Sequence, residues 1–249
     1  MLSPPTVRRR TVLAALAAAA ATGVVQAASD RVAGSGPVRA QTRPLDAFTG
    51  IALALPAQLE LRTGAAEGIT IETNENLLPL IETSVENGSL EIRAVRRGLT
   101  LTAGVLKIVV TSRRVDNLSV AGTGAISAGS LRAPRLKLQL GGTGSIELAG
   151  IECDSLAASL AGSGRIALDG QAPQLSASIA GSGSLRAGHL KTQTANVSIM
   201  GSGEATVWAA GELNASVAGS GTVRYYGSPK LRSAIAGSGS AERLGPSPS

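Results

Sequence analysis

A Gly-Ser/Thr-Gly triplet recurs along the C-terminal half of the chain at Gly122-Gly124, Gly142-Gly144, Gly162-Gly164, Gly181-Gly183, Gly201-Gly203, Gly219-Gly221 and Gly237-Gly239. From the first glycine of one copy to that of the next, the spacings are 20, 20, 19, 20, 18 and 18. A period this short and this regular marks a repeat architecture, because one unit cannot bury an apolar face alone and must stack on its neighbours. Two residues before each triplet stand Val120, Leu140, Leu160, Ile179, Ile199, Val217 and Ile235. Six before stand Asp116, Leu136, Leu156, Leu175, Ala195, Leu213 and Leu231, and four after stand Ile126, Ile146, Ile166, Leu185, Ala205, Val223 and Ala241. These columns share one parity, the period-2 signature of a strand with one buried face. Each unit therefore reads as strand, glycine bend, strand and second turn, the last marked by Gly129, Gly150, Gly170, Gly188 and Gly227. Stacking such units in parallel places like residue on like, whereas an antiparallel meander gives no reason for repeat positions to share character. The expected fold is all-β: a parallel β-solenoid in which one rung has the length of one triplet spacing.

Composition agrees with thin coils. Glycine makes up 31 of 249 residues, about 12%, against a background of about 7%. Aromatics are only 2%, so Val, Ile, Leu and Ala must fill the interior. A single cysteine excludes an intrachain disulfide, and one histidine leaves no His-rich metal site.

The triplet is structural on this reading. A phosphate-cradling loop needs a helix behind it and usually a lysine at fixed spacing, and neither follows any copy. Calcium-binding glycine repeats need an aspartate after the triplet, which is also absent. Glycine instead supplies positive φ and close backbone approach at a corner, and the central Thr123, Thr143, Ser163, Ser182, Ser202, Ser220 and Ser238 can form a hydroxyl ladder, outward by strict alternation or inward if the corner inverts parity.

Residues 1–27 read as an export signal. Arg8, Arg9 and Arg10 precede an uncharged Ala-rich run, and Val25-Gln26-Ala27 is a small-x-small cleavage pattern, so the mature chain begins at Ala28. Arg9-Arg10-Thr11-Val12-Leu13 resembles the twin-arginine pattern, with an ordinary secretory signal as the alternative. Removing the three arginines takes the net charge from +6 to +3, so the basic balance is no argument for nucleic acid. The expected location is the periplasm, cell envelope or outside the cell, with no transmembrane segment in the mature chain.

Residues 28–44 form an exported N-terminal segment and 45–243 a single solenoid domain, with an irregular capping part over 45–115 and regular repeats over 116–243. Phe48 to Ile51, Gln58 to Arg62, Ile69 to Thr73 and Ser89 to Val95 read as short strands, Asn87-Gly88 as a turn, and Asn76 to Leu80 as a helical turn limited by Pro79. Lys107 to Thr111 is expected to lead into the first regular rung, and residues 244–249 to form a flexible tail. Phe48-Thr49-Gly50-Ile51 after Gly34-Ser35-Gly36, Thr70 to Asn76 before Leu77 and Leu78, and Gly88-Ser89-Leu90-Glu91-Ile92, together with the repeated triplets, resemble the bacterial "putative auto-transporter adhesin, head GIN domain" family over roughly residues 45–240. That resemblance implies a right-handed parallel β-helix in an exported protein with an adhesive role, and carries no catalytic residues.

No catalytic set emerges from the residues themselves. Five after each triplet's first glycine stand Ser127, Glu147, Ala167, Arg186, Thr206, Arg224 and Glu242, without the adjacent acids that polysaccharide cleavage needs. Glu152 and Asp154 flank Cys153 in what reads as a solvated turn, and His189 near Lys191 reads as a solvated loop residue. Trp208 and Tyr226 stand out, since they lie seven after their glycines, on the face opposite Tyr225, and could bind a sugar ring or a partner surface. The sequence thus indicates a non-enzyme without cofactor or metal: an adhesion or ligand-binding module for an envelope glycan or surface protein. A self-assembling envelope module that forms homo-oligomers is the first alternative, and a polysaccharide-active enzyme the second.

Overall fold

The computed structural model describes residues 30–248, and the export-signal residues Arg9, Arg10 and Ala27 lie outside them. From Asn117 onward the chain winds as a parallel β-solenoid. Asn117–Gly122, Arg135–Gly142, Ser155–Gly162 and Gln174–Gly181 stack in parallel register, each triplet's first glycine directly over the last. The ladder continues through residues 194–201 and 212–219 to Lys230–Gly237. After the glycine bend, Ala125–Ala128, Ser145–Glu152, Arg165–Gln171, residues 184–191, residues 204–209, Thr222–Tyr226 and Ser240–Gly245 form a second parallel face. A narrow third side begins at Leu131–Arg132, which pairs with Ile151 and Glu152. The expected second turn is here a corner within continuous strands: Ser184–Gly201 and Glu204–Gly219 run through it, and their ladder absorbs the corner as bulges after Ala187 and Thr192.

Alternation does what the columns require. Leu136, Leu156, Leu175, Ala195 and Leu213 lie in consecutive register and are all at most 2% exposed. Most outward partners are small, polar or charged, with Met200 an exposed exception, and Thr123, Thr143, Ser163, Ser182, Ser202, Ser220 and Ser238 are all exposed, so the hydroxyl ladder faces solvent. The triplet's glycines are fixed by two different constraints. Gly162 has φ +120°, and a Cβ there would also strike the Gly142 carbonyl of the preceding coil. Gly164 points inward, where a Cβ would sit 2.6 Å from Gly144 O and 2.7 Å from Leu140 Cδ2. Coils separated by one ladder spacing leave no room for either atom.

The N-terminal half departs from the expected path. Gly50–Leu53 and Gln58–Thr63 stack directly under Asn117–Gly122 and Ala125–Ala128. Ser89–Ala94 and Leu106–Ser112 then stack beneath that first coil, in parallel register with it. Lys107 to Thr111 therefore does not feed the rung next to it. The chain passes from the bottom coil over the first one, through residues 113–116, before the regular winding starts. The reason is that Gly68–Asn74 leaves the first coil and pairs antiparallel with both Val38–Pro44 and Leu106–Ser112, which terminates the parallel stack on that side. The Asn87-Gly88 hairpin between Ile81–Glu86 and Ser89–Ala94 has positive φ at both residues, 52° and 76°. Leu78–Leu80 is a single 3-10 turn. Arg43 ties these pieces together: its Nη1 donates to Ile81 O (2.7 Å) and Thr83 Oγ1 (3.1 Å), and its Nη2 to Leu78 O (2.9 Å).

At the other end, Lys230–Gly237 is exposed throughout, with Leu231 and Ile235 of the inward columns 37% and 42% exposed. No helix among the described residues is long and apolar enough to cross a membrane.

Candidate functional site

The face formed after the glycine bend carries the aromatic outliers. Trp208 lies in ladder register with Lys191 on one side and Tyr226 on the other, so the two rings project from adjacent coils. Both side chains are half-buried, while Tyr225, one residue away, packs against the core. The backbone beneath Trp208 is held at the corner by buried Thr192, whose Oγ1 donates to Trp208 O at 2.8 Å. Tyr226 reaches back past one coil: a Cβ on Gly188 would meet Tyr226 Cε2 and Thr206 Cγ2, both at 3.3 Å. A side chain at 188 would displace that ring. The turn after Tyr226 is fastened by Arg243, whose Nε donates to Gly227 O (2.6 Å) and Nη2 to Ser228 Oγ (2.8 Å).

Charged neighbours frame the rings. Arg224 bridges Glu204 and Glu242 on the coils on either side. All three are substantially solvated, so these pairs contribute about 0–1 kcal/mol each and mainly set side-chain direction. Arg186, His189, Thr206 and Tyr226 line a cleft of about 250 Å³. Arg186 and His189 also line a larger open groove of about 1110 Å³ that continues down the same face to Glu60 and Arg62. At that far end Arg62 donates to Glu60 at 2.7 Å, and with Lys107 nearby this holds the Glu60 carboxyl below its usual pKa.

The column Ser127, Glu147, Ala167, Arg186, Thr206, Arg224 and Glu242 is a true register line, and Glu60 extends it beneath Ser127. Acids in it are separated by neutral residues or arginine. His189 lies in a strand at the bulge rather than in a loop, exposed and opposite Asp169 in the ladder. Glu152 pairs with Arg132 at 2.8 Å, and Cys153 is half-buried, its thiol pushed up to about 11 by burial and then by the charge of Asp154. Among the described residues no three His, Cys, Asp or Glu side chains are grouped to hold a metal. Glu60 and Arg62 escape a reading by triplets because the first coil has none; aligning Leu59 and Leu61 with Ile126 and Ala128 is the signal that would have placed them.

Residues 47–229 match the family described as putative auto-transporter adhesin, head GIN domain. The chain belongs to this family. Solved structures agree with the GIN-domain fold over most of the chain. A putative adhesin from Bacteroides fragilis superposes with a TM-score of 0.81 at 22% identity, covering 86% of this chain and 100% of that one. A putative adhesin from Parabacteroides merdae gives 0.68 at 23% identity, covering 86% and 99%. A Parabacteroides distasonis protein described as a putative lipid binding protein gives 0.74 at 27% identity, covering 86% and 100%. No curated protein matches this GIN-domain sequence.

Proposed function

We propose that this GIN-domain chain is an exported, non-catalytic adhesion module of the cell envelope or cell exterior that holds a surface ligand against the Trp208–Tyr226 patch. The observation that carries the reading is the register pairing of two half-buried aromatic rings on adjacent coils, with Tyr226 laid over Gly188 beside an open cleft. Such a pair offers a large, rigid, partly polar contact surface at low entropic cost. The coil interior is filled by buried aliphatic side chains, so the lipid-binding description of one relative would translate here to a surface contact. Export follows from Arg9-Arg10 and the cleavage pattern ending at Ala27.

The test measures binding of the chain from Ala28 onward to intact bacterial envelopes, glycan arrays and phospholipid vesicles, with a Trp208→Ala, Tyr226→Ala double variant. Loss of an anchor of this kind costs about 2 kcal/mol or more, so at least a thirtyfold loss is expected. Unchanged binding by the double variant rejects the patch. A second reading, end-on self-association, draws on exposed Leu231 and Ile235 and on Lys230–Gly237 having a ladder partner on one side only among the described residues. Oligomers that grow with concentration in light scattering and vanish in an Ile235→Lys variant would favour it.

A further inference from the structure

Tyr226 lines a cleft that meets, at Arg186 and His189, one end of a groove running across the strands, along the solenoid axis. From Glu60 to Arg224 the register line Glu60, Ser127, Glu147, Ala167, Arg186, Thr206, Arg224 makes six ladder steps of about 4.8 Å, roughly 29 Å in all. Its floor is made of small residues, Ser127, Gly129, Ala149 and Ala167, so a ligand can approach the sheet closely. Above the floor stand Glu147, Asp169 and Arg186, all exposed, and none forms an ion pair among the described residues.

The charges decide what fits. A polyanion entering this groove meets Glu147 and Asp169, with His189 opposite Asp169 and with Arg186 the one arginine or lysine of the lining outside an ion pair among the described residues. A polycation meets Arg186 at the aromatic end. Carboxylates only accept hydrogen bonds and a guanidinium only donates them, so alternating the two suits groups that do both, which hydroxyls do. The Tyr226 ring beside Arg186 adds an apolar platform for the C–H face of a sugar ring. We infer that the groove takes a linear, uncharged, hydroxyl-rich glycan lying along the solenoid axis, with one sugar on Tyr226 and the chain running over Ala167 toward Glu60. This rests on the proposed adhesive role of the aromatic patch and extends it to a ligand class and a direction.

Calorimetry with the chain from Ala28 onward tests it, using cellohexaose, maltohexaose, xylohexaose and mannohexaose, their disaccharides, and hexagalacturonate. At least one neutral hexasaccharide is expected to bind at least tenfold more tightly than its disaccharide. Ala167→Arg, which fills the floor from the solvent side, should abolish that length dependence while leaving the disaccharide unaffected. Should this variant unfold, a Glu147→Ala, Asp169→Ala double variant, which leaves Arg186 and Tyr226 in place, must show the same loss. Equal affinity for hexamer and disaccharide, tighter binding of hexagalacturonate, or no binding of any neutral probe overturns the inference. If the neutral probes fail while envelope binding still depends on Trp208 and Tyr226, the groove assignment falls and the adhesive reading stands; if both fail, both fall.

Discussion

Within one triplet the three positions should respond very differently to replacement by alanine. Gly162→Ala forces a Cβ onto a residue at φ +120° and against the Gly142 carbonyl. Backbone strain of this kind costs about 1–3 kcal/mol and overpacking about 1–3 kcal/mol more, offset by about 0.4–1 kcal/mol from the stiffer unfolded chain. The net expectation is a loss of about 1–6 kcal/mol. Gly164→Ala meets Gly144 O and Leu140 Cδ2 without a positive φ, and should lose about 1–2 kcal/mol. Ser163→Ala removes an exposed hydroxyl and should stay within about 0.5 kcal/mol of the parent. Urea unfolding followed by circular dichroism gives the order directly, and because each coil contacts only its neighbours the Gly162 variant should also broaden the transition. A Ser163 variant as unstable as the Gly162 variant, or a neutral Gly162→Ala, would refute the claim that contact between coils, rather than turn chemistry, selects the glycines.

Arg43→Ala should lower stability by about 2–4 kcal/mol, because charge-assisted bonds to Ile81 O and Leu78 O are lost at the cap. Hydrogen exchange should rise over residues 78–94 more than over 155–219, and Arg43→Lys should not restore the pattern. Cys153 has its pKa pushed up to about 11, so its thiolate is scarce at pH 8. Iodoacetamide should therefore modify it on the order of a hundredfold more slowly than an ordinary thiol of pKa about 8.5, with the rate climbing until about pH 11. Ile146→Ala, at a fully buried position, should lose about 2–5 kcal/mol, whereas Glu147→Ala beside it should be nearly neutral in the same urea assay.

Much of this architecture is readable without coordinates because a stack converts sequence period into spatial register. Leu136, Leu156 and Leu175 sit above one another for the same reason that each follows the last by one repeat of the sequence. Reading by period fails where the period does. Gly50–Leu53 and Ser89–Ala94 carry no triplet, so nothing in their spacing says that the later segment lies beneath the earlier one. The corner after Ala187 is announced by Gly188, but its form is not: Gly188-His189-Leu190 is absorbed as a bulge and the strand continues past it. For the site, parity placed Trp208 and Tyr226 on the outer face, but the reach of Tyr226 to Gly188 is a side-chain direction that spacing does not encode. The far end of the groove was invisible for a similar reason: Glu60 belongs to it only through a pairing with Ser127 that no triplet announces.

The first coil is enclosed on one side by residues 89–112 and on the other by residues 117–128, both supplied after it. On the far side the regular parallel winding gives way to antiparallel pairings, Gly68–Asn74 with Val38–Pro44 and with Leu106–Ser112, and Ile81–Glu86 with Ser89–Ala94. Changes in the number of windings are therefore expected at one end: a whole module duplicated or deleted beyond residue 116 would lengthen or shorten the molecule without disturbing its foot.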